Sequence, residues 1–170
     1  MTPSPDTASD IVNDLAGIQD GSPLALLRAQ RKDIATYAQG SYGTLLEPED
    51  EAGVSRYERE MIALRVGILN SNAALQNHHR DRLRHLGASD EQIAAVESFP
   101  QGTGLSDRDR LILAHVDRLT IEPRAASQAD TIALQAGGLS PRDIVTIAQL
   151  IAFLSFQVRL LAGLKALGEQ

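Results

Sequence analysis

Hydrophobic residues recur along this chain at three- and four-residue spacing, the pattern of amphipathic α-helices. The spacing predicts helices near residues 55–69, 72–86, 89–97, 106–120, 126–136 and 140–167. No stretch alternates with period two for long enough to predict a sheet. We therefore expect an all-α bundle with duplicated helical units and an N-terminal helical arm.

The first fifty residues predict the arm and a linker, and residues 51–170 predict the helical domain. Residues 1 to about 8 are rich in Pro, Ser, Thr and Asp and are expected to fray. Ser9 or Asp10 can cap a short helix that runs through Ile18. Ser22 and Pro23 suit the N-cap and first position of a second helix. We expect that helix to end in the glycine-containing segment 39–43.

Helix-boundary residues repeat with an offset of 51 along the second half of the chain. The matched pairs are Ser55 with Ser106, Gly87 with Gly138, and Ser89 with Ser140. Serine favours the start of a helix and glycine favours its end, so the matched residues predict equivalent helix boundaries in both halves. The predicted units span about 55–97 and 106–148, and the last helix continues to about 167. Coincidence among common helix caps is the alternative explanation.

One face of the helix near 72–86 is mostly leucine, so we expect it to be buried. Its members follow steps of three and four residues: Asn72, Leu75, His79, Leu83 and Leu86. Buried polar side chains need partners. The break at residues 70–71 predicts an antiparallel turn that brings Glu60, on the preceding helix, back towards His79.

The spacing of Glu60, Asn72, Leu75 and His79 resembles the core of the carboxymuconolactone decarboxylase and alkylhydroperoxidase D-like superfamily. In its redox members a glutamate precedes a Cys-x-x-Cys pair, and a histidine follows the second cysteine by four residues. Asn72 and Leu75 stand at the two cysteine positions, and this chain contains no cysteine. Thiol-based peroxide reduction requires a thiolate, so the chain cannot perform it by that route. The resemblance covers roughly residues 50–165 and implies a duplicated helical fold and a homo-oligomer.

A Glu60–His79 pair is typical of a proton relay, because a carboxylate bound to one imidazole nitrogen raises the basicity of the other. Asn72 could orient a substrate carbonyl or a water, and Leu75 makes the pocket apolar enough for an organic ligand. Tyr42 could reach over the pocket from the segment before the repeat. A core histidine satisfied by a buried glutamate explains the same pair without catalysis.

Three functions remain open at this point. The first is a cofactor-free enzyme of the decarboxylase or lyase type, acting on a small organic and possibly anionic substrate. The second is an antioxidant-associated relative that has lost thiol peroxidase activity and binds a small molecule or a regulatory partner. The third is a purely structural oligomer. The residues alone leave open whether the chain is an enzyme.

A metal site would need a third ligand beside Glu60 and His79, for which His115 is the candidate. The prediction is no metal and no cofactor. The basic run 78–85 fits either a solvated helix face or a rim that attracts an anionic substrate. In the second half, Leu111, Pro123 and Asp130 stand at the positions of Glu60, Asn72 and His79, so that half is expected to be scaffold.

The composition of the chain limits the classes of molecule that the protein is expected to bind. Of 170 residues, 43% are hydrophobic, and 16 cations against 22 anions give a net charge of −6. An acidic balance disfavours nucleic-acid binding. The N-terminus lacks a signal-peptide pattern, and the apolar stretch near 147–156 is expected to be too short for a membrane span. We expect a cytoplasmic protein without membrane or nucleic-acid partners. Its last helix, apolar nearly all round, should lie centrally or in a subunit interface.

Overall fold

The computed structural model describes residues 10–168, which form α-helices joined by short turns, with no strand in that range. The first three helices are α1 (Ile11–Ala16), α2 (Pro23–Ala29) and α3 (Lys32–Leu46). They are followed by α4 (Arg56–Leu69), α5 (Ala73–His85), α6 (Asp90–Glu97), α7 (Asp107–Ile121), α8 (Gln128–Ala136) and α9 (Pro141–Gly168). A 3-10 turn, Pro123–Ala125, precedes α8. The predicted all-α fold is confirmed.

The N-terminal helices end at other residues than predicted, and α1 already ends at Ala16 and not at Ile18. Asp10 caps α1 by accepting from Val12 and Asn13, whereas the predicted fraying of residues 1 to about 8 and the alternative cap Ser9 lie outside the described residues. The predicted second helix is two helices, and α3 does not end in segment 39–43 but continues to Leu46. Tyr42 and Leu46 are both buried, and this packing outweighs the helix-weakening cost of the glycines in that turn.

Two pairs of helix boundaries follow the predicted offset of 51 residues. Ser55 and Ser106 each form a capping box at the start of a long helix, α4 and α7. Gly87 and Gly138 share a backbone φ of +87°, a left-handed conformation that favours glycine after a helix. The halves differ in length, because α8 is shorter than α5 and α9 is far longer than α6.

Helix α4 is the centre of the bundle, and every residue from Glu58 to Gly67 is buried. Helix α5 packs antiparallel to it, with Leu75 and Gln76 against Gly67. Helix α9 begins beside the start of α4, where Asp143 contacts Gly53, and runs parallel to α4. Helices α6 and α7 also pack on α4, and α1 lies against both α5 and α9. Four helices, α1, α4, α5 and α9, therefore surround the same part of the core.

Helix α9 is long and apolar enough to span a membrane, with a mean hydropathy of 1.8 over its most apolar 18 residues. The expectation that this segment is too short for a span is therefore wrong by length, because the helix extends well beyond 147–156. Its packing against α1, α3, α4, α7 and α8 is that of a core helix. A buried core helix passes the same length and composition test, so the location of the protein stays a prediction.

Candidate functional site

Glu60 on α4 and His79 on α5 are in direct contact. The Nδ1 atom of His79 lies 2.7 Å from Oε2 of Glu60, and both side chains have no exposed surface. The turn at residues 70–72 folds α5 back along α4, which places these two residues at the same level. A carboxylate accepts only, so Nδ1 carries the proton and donates it to Glu60.

Glu60 has a second partner, Arg82, one turn further along α5. The Nε atom of Arg82 donates to Oε1 of Glu60 at 3.0 Å, and Nη2 of Arg82 lies 2.6 Å from Oε1 of Glu47. Arg82 and Glu47 are partly exposed, so the chain of contacts runs from solvent to the buried imidazole. The pKa of Arg82 is raised by Glu60 and Glu47, although burial opposes the shift most strongly. This cation offsets the cost of burying the Glu60 carboxylate.

Tyr42 from α3 closes the site on its other side. Its hydroxyl lies 2.8 Å from Nε2 of His78, the residue adjacent to His79. Burial, with the negative charge of Glu60 adding to it, raises the pKa of Tyr42 well above its ordinary value. Burial lowers the pKa of His78 to about 4, and the neighbouring His79 adds to that effect. A protonated tyrosine therefore donates to a neutral histidine at neutral pH.

The second ring nitrogen of His79 has no partner among residues 10–168, although it is buried. Leu75 and Leu83, one turn before and after His79, are also fully buried. Leu86, predicted to lie on the same buried face, is 43% exposed because the helix ends there and the face leaves the core. A buried nitrogen without a hydrogen bond is unfavourable, so Nε2 is the atom of this site that is available to a ligand.

Asn72 lies at a different place, the start of α5. Its Oδ1 accepts from the backbone of Leu75 at 3.0 Å, so it is the N-cap of the helix. This contact leaves its Nδ2 group to donate elsewhere. Asn72 lines a cavity of about 370 Å³ between the α4–α5 turn, the end of α1 and α9, and Lys165 lines the same cavity. Leu75 separates this cavity from His79 along the helix.

The structure therefore divides the predicted site residues into two groups. Glu60 and His79 are in direct contact and Tyr42 is linked to them through His78, whereas Asn72 opens on the cavity and Leu75 lies between Asn72 and His79 along α5. Glu60 and His79 do not line that cavity. A larger groove of about 650 Å³ lies between α2 and the end of α9 and contains none of these residues.

The described residues support neither a metal site nor a basic rim that would attract an anionic substrate. No group of three metal-binding side chains occurs among residues 10–168, and His115 lines a separate small cavity with Arg118 and Asp130. In the basic run each arginine is paired with a carboxylate: Arg80 with Glu97, Arg82 with Glu60 and Glu47, and Arg84 with Asp81 and Asp90.

Sequence reasoning missed Arg82 and Glu47 as members of this region, and it missed Gln157 as a buried polar residue of α9. Arg82 lies three residues after His79, a spacing that places it on the same side of the helix and could have identified it. Glu47 follows α3 and gives no local signal. Gln157 interrupts the apolar stripe of α9, as His79 interrupts that of α5, and is fully buried.

Comparisons with known proteins agree with the helical fold. The model of the carboxymuconolactone decarboxylase family matches residues 35–114. An uncharacterized peroxidase-related protein from Silicibacter sp. TM1040 is similar in structure, with a TM-score of 0.73 and 23% identity over 82% of this chain and 73% of that one. No curated protein matches the sequence.

Two further solved structures share the fold. One is the alkylhydroperoxidase AhpD core of an uncharacterized peroxidase-related protein from Ralstonia eutropha JMP134, with a TM-score of 0.72 and 22% identity over 94% of this chain and 86% of that one. The other, from Agrobacterium tumefaciens, is a protein of unknown function and putative antioxidant defence protein AhpD, with a TM-score of 0.72 and 21% identity over 82% and 92%.

The bundle is thus an alkylhydroperoxidase D-like helical fold. Residues 35–114 of the chain are similar to the carboxymuconolactone decarboxylase family, and the chain contains no cysteine.

Proposed function

We propose that the protein is a cofactor-free enzyme of the decarboxylase or lyase type, with Glu60 and His79 as its proton relay. The observation that carries this proposal is the unpartnered Nε2 of His79, opposite an Nδ1 held by a buried carboxylate. In this tautomer Nε2 has a free lone pair and can take a proton. The imidazolium that forms is stabilised by the carboxylate of Glu60. Arg82 holds this carboxylate in place and is itself held by Glu47.

A decarboxylation would use the relay first as a base and then as an acid. In a small β-carbonyl acid that enters uncharged, Nε2 of His79 takes the carboxyl proton, the bond between the carboxylate carbon and the α-carbon breaks, and carbon dioxide leaves. The electron pair passes to the carbonyl oxygen as an enolate, which takes the proton back from Nε2 of His79. The residues hold and move one proton per cycle and require no thiol.

The substrate would enter through the 370 Å³ cavity at the start of α5. The Nδ2 group of Asn72 and the ammonium of Lys165 favour an anionic or carbonyl group at this end. Because Leu75 lies between the cavity and His79, its side chain must move when the ligand reaches the relay. The apolar wall suits an organic molecule better than a peroxide.

A bound ligand is the first test of this site. Native mass spectrometry of freshly purified protein, followed by denaturation, would release any small molecule held at stoichiometric level. We expect an organic molecule that is absent from the His79→Gln variant. A folded His79→Gln variant that holds the same molecule equally well would contradict a ligand at Nε2.

The second candidate is a small-molecule binder that has lost thiol peroxidase activity. The complete burial of Glu60 and His79 favours it, because a closed pair can stabilise the core without turning over a substrate. The similar solved structures are described as peroxidase-related. Consumption of hydroperoxide by the purified protein tests retained antioxidant chemistry, and we expect none from a chain without cysteine.

A further inference from the structure

Gln157 is a fully buried glutamine on α9 whose amide nitrogen and oxygen both lack a partner among residues 10–168. It belongs to a stripe of otherwise apolar residues, all of them buried: Leu150, Leu154, Leu161 and Leu164. Leaving both atoms of a primary amide unpaired in the core is strongly unfavourable. Its partner is therefore something other than these side chains.

The register of the helices places Gln157 near the ligand path. Leu161, one turn after Gln157 on the same face of α9, lines the 370 Å³ cavity together with Ala74 of α5. Because α9 runs parallel to α4 and α5 runs antiparallel to it, moving inward from the cavity leads from Leu161 to Gln157 on α9. On α5 it leads from Ala74 past Leu75 to His79. Gln157 thus lies one turn further along α9 from the cavity than Leu161, and His79 lies one turn further along α5 than Leu75.

We propose that Gln157 binds the buried end of the ligand that reaches His79, and that this end is an uncharged carboxyl or primary amide group. The inference rests on the proposed function, since it places the ligand against the relay. A primary amide offers one donor and one acceptor side by side. A protonated carboxylic acid or another primary amide presents the complementary pair and satisfies both atoms of Gln157 at once.

The surroundings select against charge at this end. The neighbouring positions on both helices, Leu75, Leu154 and Leu161, are apolar and buried. The guanidinium of Arg82 is already engaged by Glu60 and Glu47. A carboxylate at this depth would be buried without a dedicated cation, whereas a neutral group keeps its hydrogen bonds at no such cost.

Two small probes test the inference by isothermal titration calorimetry: propionamide, which is always neutral, and propionate, which binds only after taking up a proton. The proteins are the native chain, Gln157→Leu, His79→Gln and Gln149→Leu. Gln149 is an exposed glutamine on the same helix and is the matched control. Gln157→Met, of similar volume, replaces the leucine variant if circular dichroism shows that Gln157→Leu does not fold.

We expect propionamide to bind the native protein and Gln149→Leu equally, and Gln157→Leu about tenfold more weakly. Propionate should lose about tenfold in affinity for each pH unit above the pKa of the free acid, whereas propionamide should not. Equal binding to Gln157→Leu and native protein overturns the role of Gln157. Absence of saturable binding of both probes to native protein overturns it as well and leaves ordered water as the partner of the amide.

His79→Gln separates this inference from the proposed function. If binding depends on His79 but not on Gln157, the relay site stands and the inference about Gln157 fails. If binding depends on Gln157 but not on His79, Gln157 binds the buried ligand group, but that ligand does not lie against His79. Weaker binding in both variants supports the inference.

Discussion

The Nδ1 atom of His79 donates to a carboxylate oxygen of Glu60 at 2.7 Å, and neither side chain is exposed. This contact fixes the tautomer, so Nε2 is the free nitrogen. The superfamily frame places a histidine four residues after its second cysteine position. Here the histidine is His79, and Leu75 stands at the second cysteine position. The site therefore offers no thiol, and it contains the buried Glu60–His79 contact.

Arg82 should contribute to stability through Glu60. Replacing Arg82 by Gln removes the cation that offsets the buried carboxylate, and we expect a loss of about 2 kcal/mol in the free energy of unfolding, measured in urea. Glu47→Gln is the matched control, because it changes only the exposed end of the same chain of contacts. It should cost less than about 1 kcal/mol. An equal effect of the two substitutions would show that Arg82 does not act on Glu60.

His78 should make stability depend on pH. Its pKa in the folded protein is about 4, below the ordinary value of 6.5, because the ring is partly buried and lies beside His79. As the pH falls from about 6.5 to about 4, the unfolded chain binds a proton that the folded chain does not. Stability is therefore lost across that window, by on the order of 2 kcal/mol after allowance for solvent screening, and levels off below it.

The measurement is urea unfolding at several pH values for native protein, His78→Gln and His85→Gln. His78→Gln should flatten the profile, whereas His85→Gln, which changes an exposed histidine on the same helix, should preserve it. The pKa of His115 is also lowered by burial and contributes with the same sign, so the difference between native protein and His78→Gln is the relevant quantity. Identical profiles for the two variants would contradict the buried Tyr42–His78 contact.

A cysteine at position 72 should be activated by the start of α5. Because the chain has no cysteine, Asn72→Cys introduces a single thiol at the N-cap of a helix of 13 residues. The helix N-terminus should lower its pKa by about one unit below the ordinary value of about 8.5. The rate of alkylation by iodoacetamide against pH measures this, with Ser98→Cys at the end of α6 as control. The same pKa at both positions would show that α5 does not activate the site.

Assembly of several copies stays a prediction, and the exposed side of α9 supports it. Phe156 is 44% exposed and Val145 is 55% exposed on this helix, which has few charged residues. Phe156→Glu should weaken association and lower the mass measured by light scattering, whereas Ala129→Glu on α8 should leave it unchanged. A native protein that is already monomeric at micromolar concentration would refute the prediction.

Most of the fold could be predicted from the sequence because its helix signals are local. The capping serines and the left-handed glycines set the boundaries of α4 to α9 to within about two residues. The end of α3 could not be predicted, since the glycines near residue 40 favour a stop and only the burial of Tyr42 and Leu46 reveals why the helix continues. At the end of α3, tertiary packing therefore outweighs the low helix propensity of glycine.

The candidate site was predictable only in part. The antiparallel turn and the stripe on α5 indicated that Glu60 meets His79, and they do meet. The pairing of Arg82 with Glu60 and Glu47 depends on where a long side chain reaches across three segments, and no spacing encodes that. The separation of Asn72 from His79 likewise follows from its capping role, which uses the oxygen that a substrate would otherwise meet.

The most direct test of the central claim is carbon dioxide release from a panel of small β-carbonyl acids. It compares native protein, His79→Gln and the exposed control His85→Gln, each checked for fold by circular dichroism. We predict that one or more acids are turned over by native protein and His85→Gln, and that His79→Gln is at least about 100-fold slower, the contribution expected of a positioned acid–base group. A folded His79→Gln variant that releases carbon dioxide at the native rate, or a native protein inactive on the whole panel, would contradict the Glu60–His79 relay.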